Sequence, residues 1–195
     1  MKQMKKETRI LNVELRTPEE ADKMIVEGYA ITFNSPATHG YTEIINERAL
    51  DNCDMSDVPL KYNHEDSHLI MARTRNHSLE LKKDEKGLFI RAELIDNQSN
   101  KDIYKSIKAG LIDKMSFAFT VDKDEYDYDT DTRKILSIDR LYDVSVVDIP
   151  FYDSTSVYAR NDSEDFLERR KELRKQHEDK LELEKAKQEL LEKLG

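Results

Sequence analysis

The chain has 195 residues, with 37% hydrophobic and 37% charged residues and a net charge of −9. Its length suits one domain of roughly 100–200 residues with an appendage. The negative charge argues against nucleic acid as a partner, because phosphate binding depends on Lys and Arg. Cys53 is the only cysteine, which excludes a disulfide within the chain. No run approaches the ~20 apolar residues of a membrane span, so we expect a soluble intracellular protein.

Short apolar runs separated by turn residues predict strands through the body of the chain, residues 9 to 160. The acidic, Tyr-rich stretch 122–133 is interpreted as a solvated loop or hairpin tip. Helices are predicted over 46–52 and over 99–109, the second with Ser99 as its cap and Gly110 as its terminator. The body is therefore predicted to be α+β, a small, mostly antiparallel β-barrel or curved sheet with a few helices. The predicted strands cover residues 10–15, 24–33 (interrupted at Gly28), 79–81, 88–90, 115–121, 135–141 and 144–149.

The last 33 residues have a different composition. Residues 163–195 contain no Pro, and their only Gly is the final residue, so we predict a long C-terminal helix. Leu183, Leu190 and Leu194 follow helical spacing, but this stripe is too thin to specify a strong coiled coil. We predict a domain of residues 1–160 and an exposed helix of residues 161–195. We expect the helix to serve as a tether or as the coiled-coil-like seam of a homodimer or higher oligomer.

The segment from His64 to His68 fits the H-E-x-x-H pattern of zinc metalloproteases. That pattern works on a helix, where positions i and i+4 share one face and reach one ion. Pro59, Asn63 and Asp66 favour a turn instead. In a strand the two histidines would lie roughly 13 Å apart. We therefore expect no metal and interpret His64 or His68 as a general base, while a zinc peptidase and a purely local polar turn stay as alternatives.

A nucleophile is predicted in the strand that follows Lys114. Strand alternation places the apolar side chains of residues 115, 117, 119 and 121 on one face, and Ser116 on the other. A serine on a rigid strand with small neighbours suits nucleophilic attack. The third role, an acid that holds the imidazole tautomer, has two candidates, Asp143 and Asp148. The residue pattern leaves that choice open.

Seven segments stand out in chain order: EGYAITFN (27–34), YTEIINERAL (41–50), KYNH (61–64), MART (71–74), GLFIRAE (87–93), KMSFAF (114–119) and LYDVSVV (141–147), followed by Pro150. In their order and spacing they resemble the tailed-phage (caudovirus) prohead maturation proteases. This resemblance runs from about residue 27 to residue 158 and implies a fold similar to herpesvirus assemblins, which are serine proteases on a small β-barrel. It implies His64 as general base, Ser116 as nucleophile and Asp143 as third member, where the family usually has Glu. Lys114 and Ala118 stand where the family has Gly.

The resemblance implies a serine endopeptidase that processes phage scaffold and major capsid precursor proteins during prohead maturation, with self-cleavage as a corollary. It implies no cofactor, no nucleic acid, no membrane, and a location in the host cytoplasm, inside the assembling procapsid. One alternative is a non-enzymatic scaffolding or assembly protein on the same fold. A zinc peptidase using His64, Glu65 and His68 is the other.

Overall fold

The computed structural model describes residues 5–11, 15–20, 23–38, 40–66, 70–148, 160–161 and 164–194. The elements confirm the predicted α+β class. The helices are α1 (Gln98–Lys108) and α2 (Glu164–Leu194). The strands are β1 (Glu7–Leu11), β2 (Glu19–Glu20), β3 (Lys23–Thr32), β4 (Ala37–Thr38), β5 (Thr42–Ile45), β6 (Pro59–Tyr62), β7 (Ala72–Arg73), β8 (Leu79–Lys83), β9 (Gly87–Glu93), β10 (Lys114–Asp127), β11 (Thr132–Val147) and β12 (Arg160–Asn161).

The described strands form two sheets. The larger runs β12-β1-β10-β11-β5-β4, with β6 also paired to β11 and β7 paired to β6. The smaller runs β2-β3-β9-β8. Most pairs are antiparallel, but β11 pairs in parallel with β5 near its start and with β6 near its end. One edge of the long strand β11 therefore pairs with two separate segments of the chain, β5 and β6.

The prediction allowed a small barrel or a curved sheet, and in the part of the chain that the structure describes the larger sheet is not closed into a barrel. The path of the larger sheet ends at β4 and β12, two-residue strands that each pair with one neighbour. Edge strands this short expose few unpaired backbone groups. The two sheets instead share one apolar core, which includes Ile31 and Ile90 from the smaller sheet and Phe117 and Val144 from the larger.

The second half of the body is one long hairpin, where the sequence predicted three strands and, over residues 122–133, a solvated loop or hairpin tip. β11 continues without a break through residues 135–147, and its pairing with β10 extends to Asp127 and Thr132. Only the tip, residues 128–131, is a turn. Acidic residues of the hairpin bind arginines of α2: Arg170 lies 2.7 Å from Asp131 in the tip, and Arg169 lies 2.6 Å from Asp124 on β10. These long-range ion pairs left no local signal in the sequence.

The two short helices have different outcomes. α1 confirms the helix that ends before Gly110, but its cap is Asn97, whose side chain accepts a hydrogen bond from the Asn100 N–H. The helix predicted over 46–52 is wrong, because that stretch consists of turns. Its backbone bonds span three residues, as from Ala49 N to Asn46 O at 2.9 Å. The Asn46 side chain also accepts from the Arg48 N–H at 2.9 Å, which favours a turn.

The long helix α2 packs against the body at its start and is exposed further on. Phe166 is 3% exposed, and its ring lies 5.2 Å from the Tyr41 ring and 3.9 Å from the Arg133 guanidinium carbon. Further along, Leu183 and Leu190 are exposed. Within the described part of the chain, neither helix combines the length and the apolar character that crossing a membrane requires.

Gly87, the first residue of β9, permits a close backbone contact. A Cβ atom there would lie 1.9 Å from the Ile31 carbonyl oxygen, at the irregularity in the register of β3 and β9. We expect Gly87→Ala to lower the free energy of unfolding by about 3 kcal/mol or more, measured by urea denaturation. The control is Gly110→Ala: φ is +72° with no neighbouring atom within 4 Å, so it should cost only about 1–2 kcal/mol. Equal losses in the two variants would show that the Ile31 contact is unimportant.

The packing of Phe166 generates a second prediction. Phe166→Ala removes a buried ring, so the free energy of unfolding should fall by about 3 kcal/mol. Leu183→Ala is the matched control on the same helix, because Leu183 is 55% exposed, and it should change stability by less than about 0.5 kcal/mol. A Phe166→Ala variant as stable as the Leu183 control would contradict the docking of α2 on the body.

Candidate active site

Three strands of the larger sheet bring together the residues that the sequence singled out. Ser116 lies on β10, Asp143 lies on β11, and His64 follows the end of β6. Across β10 and β11, Ser116 is opposite Ser145 and Ala118 is opposite Asp143. Opposed residues point to the same side of a sheet, so Ser116 and Asp143 share a face. The parallel pairing of β6 with the end of β11 carries the chain to His64 above that face.

The three side chains form a continuous hydrogen-bonded series. His64 Nε2 lies 2.5 Å from Ser116 Oγ. The other ring nitrogen, His64 Nδ1, bonds Asp143 Oδ1. With Asp143 ionised, Nδ1–H is the donor to the carboxylate, and Nε2 is left to accept the serine proton. This arrangement can generate a nucleophilic alkoxide from a serine hydroxyl.

Asp143 is an ionised carboxylate in a buried position. Its side chain is 1% exposed, and burial by itself opposes ionisation. The hydrogen bond and charge of His64, with the charges of Lys6 and Lys61, outweigh burial and hold the pKa of Asp143 below its usual value. Lys6 Nζ lies 3.3 Å from Asp143 Oδ2. The acid therefore stays negatively charged where it meets the imidazole.

His64 stands on a strained turn. Asn63 and His64 have φ values of +51° and +58°, left-handed conformations that cost non-glycine residues on the order of 1–3 kcal/mol each. The turn is held by bonds from Asn63 N to Val146 O and from Glu65 N to Tyr62 O, both 3.0 Å. An α-helix, which the zinc pattern requires, is therefore not formed at His64. His68 lies outside the described residues, and among those described no cluster of three metal-ligating side chains occurs.

Asp148, the other candidate for the acid, fixes this turn. Tyr62 Oη donates to Asp148 Oδ2, and Asn63 Nδ2 donates to Oδ1 at 2.8 Å. Asp148 N–H in turn donates to Asn63 Oδ1 at 3.2 Å. The hydrogen bond to Asp148 and partial burial raise the pKa of Tyr62 to about 12. Both carboxylate oxygens of Asp148 thus hold the residues that precede His64, and the carboxylate that contacts the imidazole belongs to Asp143.

The nucleophile candidate has a second hydrogen-bond partner. Ser116 Oγ also lies 2.8 Å from the Arg9 carbonyl oxygen on β1. Because a hydroxyl carries one proton, Ser116 donates either to Arg9 O or to His64 Nε2. Ser116 is 0% exposed, whereas the His64 side chain is 21% exposed. In this structure the imidazole of His64, and not the hydroxyl of Ser116, is accessible from the surface.

Lys114 and Ala118, which stand where the family has Gly, are accommodated within β10. The Lys114 ammonium binds the Asp113 carboxylate at 2.8 Å. Ala118 is fully buried beside Asp143.

Cys53 does not offer a reactive thiolate near neutral pH, because burial raises the pKa of its thiol to about 12.

Sequence reasoning missed two side chains that contact the site. Ser145 Oγ donates to Asp143 Oδ1 at 3.1 Å, and Lys6 binds the other carboxylate oxygen. Ser145 carried a signal, because it lies two residues after Asp143 on a predicted strand and so shares its face. Lys6 carried none, because 137 residues separate it from Asp143.

Comparison with known proteins now identifies the family. A sequence profile described as "Caudovirus prohead serine protease" matches residues 11–169. The chain belongs to this family. It is 28% identical over 150 residues to the prohead protease of Enterobacteria phage HK97, which covers 75% of this chain and 64% of that protein. The chain thus spans less than two thirds of the length of that relative. The structure of the bacteriophage T4 capsid assembly protease is similar with a TM-score of 0.47 and 13% identity, over 73% of this chain and 99% of that chain.

The lowered pKa of Asp143 predicts how this prohead protease family member responds to acid. Stability gained from the ionised carboxylate is present above its unfolded pKa of about 3.9. That stability is lost as pH falls through the lower folded pKa. In urea denaturation from about pH 6 to about pH 3, the free energy of unfolding should therefore fall more steeply for the wild type than for Asp143→Asn. Ser116→Ala, which alters the same site but keeps the acid, should keep the wild-type slope. Identical slopes for Asp143→Asn and the wild type would contradict the assignment.

Proposed function

We propose that the protein is a serine endopeptidase that processes phage scaffold and major capsid precursor proteins during prohead maturation. The observation that carries the proposal is the hydrogen-bonded series from Ser116 through His64 to the buried Asp143 carboxylate. Membership of the caudovirus prohead serine protease family supports the same reaction. In this proposal Ser116 is the nucleophile, His64 the general base and Asp143 the acid that orients it.

The reaction follows from the geometry. Ser116 Oγ attacks the carbonyl carbon of the scissile peptide bond, and its proton passes to His64 Nε2. Asp143 accepts the Nδ1–H bond, holds the imidazole tautomer and stabilises the imidazolium that forms. His64 then gives its proton to the leaving amine, the C–N bond breaks, and an acyl-enzyme remains on Ser116. Water, deprotonated by His64, hydrolyses that ester and restores the hydroxyl. Every proton transfer in these reaction steps is carried out by residues of the chain.

The choice of substrate rests on the relatives. The family is that of the caudovirus prohead serine proteases, and the relative from phage HK97 is named a prohead protease; we extend that role to this chain. The protein then acts in the host cytoplasm, inside the assembling procapsid, where scaffold and capsid precursors surround it. Self-cleavage follows as a corollary, because its own chain is then also within reach of the site.

The exposed part of α2 favours a second role alongside catalysis. Leu183, Leu190 and Leu191 are 55%, 59% and 70% exposed, and exposed apolar residues on one helix suit contact with another protein. In this proposal residues 161–195 tether the protease domain of residues 1–160 to the scaffold or pair two copies into a homodimer. A scaffolding protein without activity would keep these contacts and lose the reaction.

The decisive experiment follows cleavage of a co-expressed capsid precursor, together with labelling by a fluorophosphonate probe and mapping of the modified residue by mass spectrometry. We expect the label on Ser116, and we expect Ser116→Ala and His64→Ala to abolish cleavage. Asp143→Asn should slow cleavage by roughly 10⁴-fold, because the imidazole loses the partner that fixes its tautomer. Ser137→Ala is the matched control, since Ser137 lies on β11 and is half-buried, and it should retain activity.

Two results would overturn this function. Cleavage that persists in Ser116→Ala would assign the reaction to another nucleophile. One zinc ion per chain, lost on chelation together with activity, would support the zinc peptidase interpretation of the His64 segment.

The control variant has its own diagnostic outcome. Loss of cleavage in Ser137→Ala equal to that in Ser116→Ala would show that the variants report folding and not catalysis.

A further inference from the structure

Ser145 lies in the middle of the site, and its role is not accounted for by the series from Ser116 to Asp143. It is opposite Ser116 across β10 and opposite Lys61 across β6. It is also 0% exposed. A buried hydroxyl needs hydrogen-bond partners to offset the loss of water. The partners that Ser145 has are the acid and the base.

The Ser145 hydroxyl joins the two residues from opposite sides. Its proton is donated to Asp143 Oδ1 at 3.1 Å, the same oxygen that His64 Nδ1 bonds. Its oxygen accepts the backbone N–H of His64 at 3.3 Å and lies 3.2 Å from His64 Nδ1. A hydroxyl has one donor and two acceptor sites, so both bonds form at once. One side chain therefore sets the distance between the carboxylate and the imidazole.

The hydrogen bond from the His64 backbone N–H to Ser145 Oγ matters because His64 lies in a strained turn. The N–H groups of Asn63 and Glu65 bond backbone carbonyls, whereas the N–H of His64 bonds the Ser145 side chain. Removing that acceptor takes away a restraint on the left-handed conformation of His64. The imidazole would then be free to tilt away from Ser116, at a site where small displacements slow a reaction strongly.

We propose that Ser145 is a positioning residue, which clamps the Asp143 carboxylate and the His64 backbone so that the imidazole is aimed at Ser116. This inference rests on the proposed peptidase function, because it assigns Ser145 a role in the same reaction. Ser145 contacts neither the scissile peptide bond nor the bond that Ser116 Oγ forms with the substrate. Its effect passes through His64 and Asp143.

The first test is kinetic. Ser145→Ala removes both hydrogen bonds, and we expect kcat on a capsid-precursor peptide to fall by about 10–100-fold. KM should stay within about twofold, because the hydroxyl does not contact the substrate. The matched control is Thr120→Val, which removes another buried hydroxyl of the same sheet, one that bonds Asp139 at 3.3 Å. A Ser145→Ala variant with the kcat of the control, or with KM changed and kcat intact, would overturn the proposal.

The second test needs no turnover. The proton between His64 Nδ1 and Asp143 should give a downfield ¹H NMR resonance in the wild type and in Thr120→Val. We expect Ser145→Ala to shift or broaden it. If the wild type cleaves no peptide yet shows this pattern, the peptidase function fails while the positioning role stands. An unchanged resonance in a folded Ser145→Ala variant would refute the positioning role. If Ser145→Ala does not fold, Ser145→Cys takes its place, because cysteine keeps the size and a weak donor. We then expect kcat and the downfield resonance to change in the same directions as for Ser145→Ala.

Discussion

A negative charge buried on one face of the larger sheet is the constraint on which the candidate site depends. An ionised carboxylate away from water is costly unless charges and hydrogen bonds surround it. Asp143 has such partners from three parts of the chain: His64, 79 residues away, Ser145 on its own strand, and Lys6, 137 residues away. To supply them, β11 must pair with β10 and β6, and the segment that leads into β1 must lie close by. The topology of the larger sheet is thus linked to the ionisation of one side chain.

The turn that presents His64 is the second consequence of this arrangement. A parallel strand such as β6 must leave the sheet at its end, and here it leaves through two left-handed residues. Strained conformations persist where the surroundings hold them. Asp148 holds Tyr62 and Asn63, and Ser145 holds the backbone of His64. The end of β11 thus supplies both the acid for the imidazole and the bonds that keep the imidazole in place.

A second buried cluster connects the site to the C-terminal helix. Arg133 Nη1 bonds Glu7 Oε2 at 2.7 Å, and Arg9 Nε bonds Glu43 Oε1 at 2.5 Å. Burial works against the charge on Arg133, but the carboxylates of Glu7, Glu43 and Asp124 outweigh it and raise the pKa of the guanidinium. Phe166 covers that guanidinium. The strand β1 carries Glu7 and also the Arg9 carbonyl oxygen that bonds Ser116. Phe166 of α2 is therefore linked to this strand through Arg133, whereas Ser116 bonds the strand directly.

The sequence by itself determined the features that depend on neighbouring residues. Alternation marked the strands around Phe117 and Val144, and Gly110 marked the end of α1, because each is a property of a few consecutive residues. Resemblance to a family singled out His64, Ser116 and Asp143. Only the tertiary structure decided which aspartate meets the imidazole, that residues 63 and 64 form a left-handed turn, and that residues 132–147 form one strand bound to α2. Those outcomes, and the presence of Ser145 and Lys6 at the site, depend on contacts between strands far apart in the chain, whose register the sequence of any one strand does not specify.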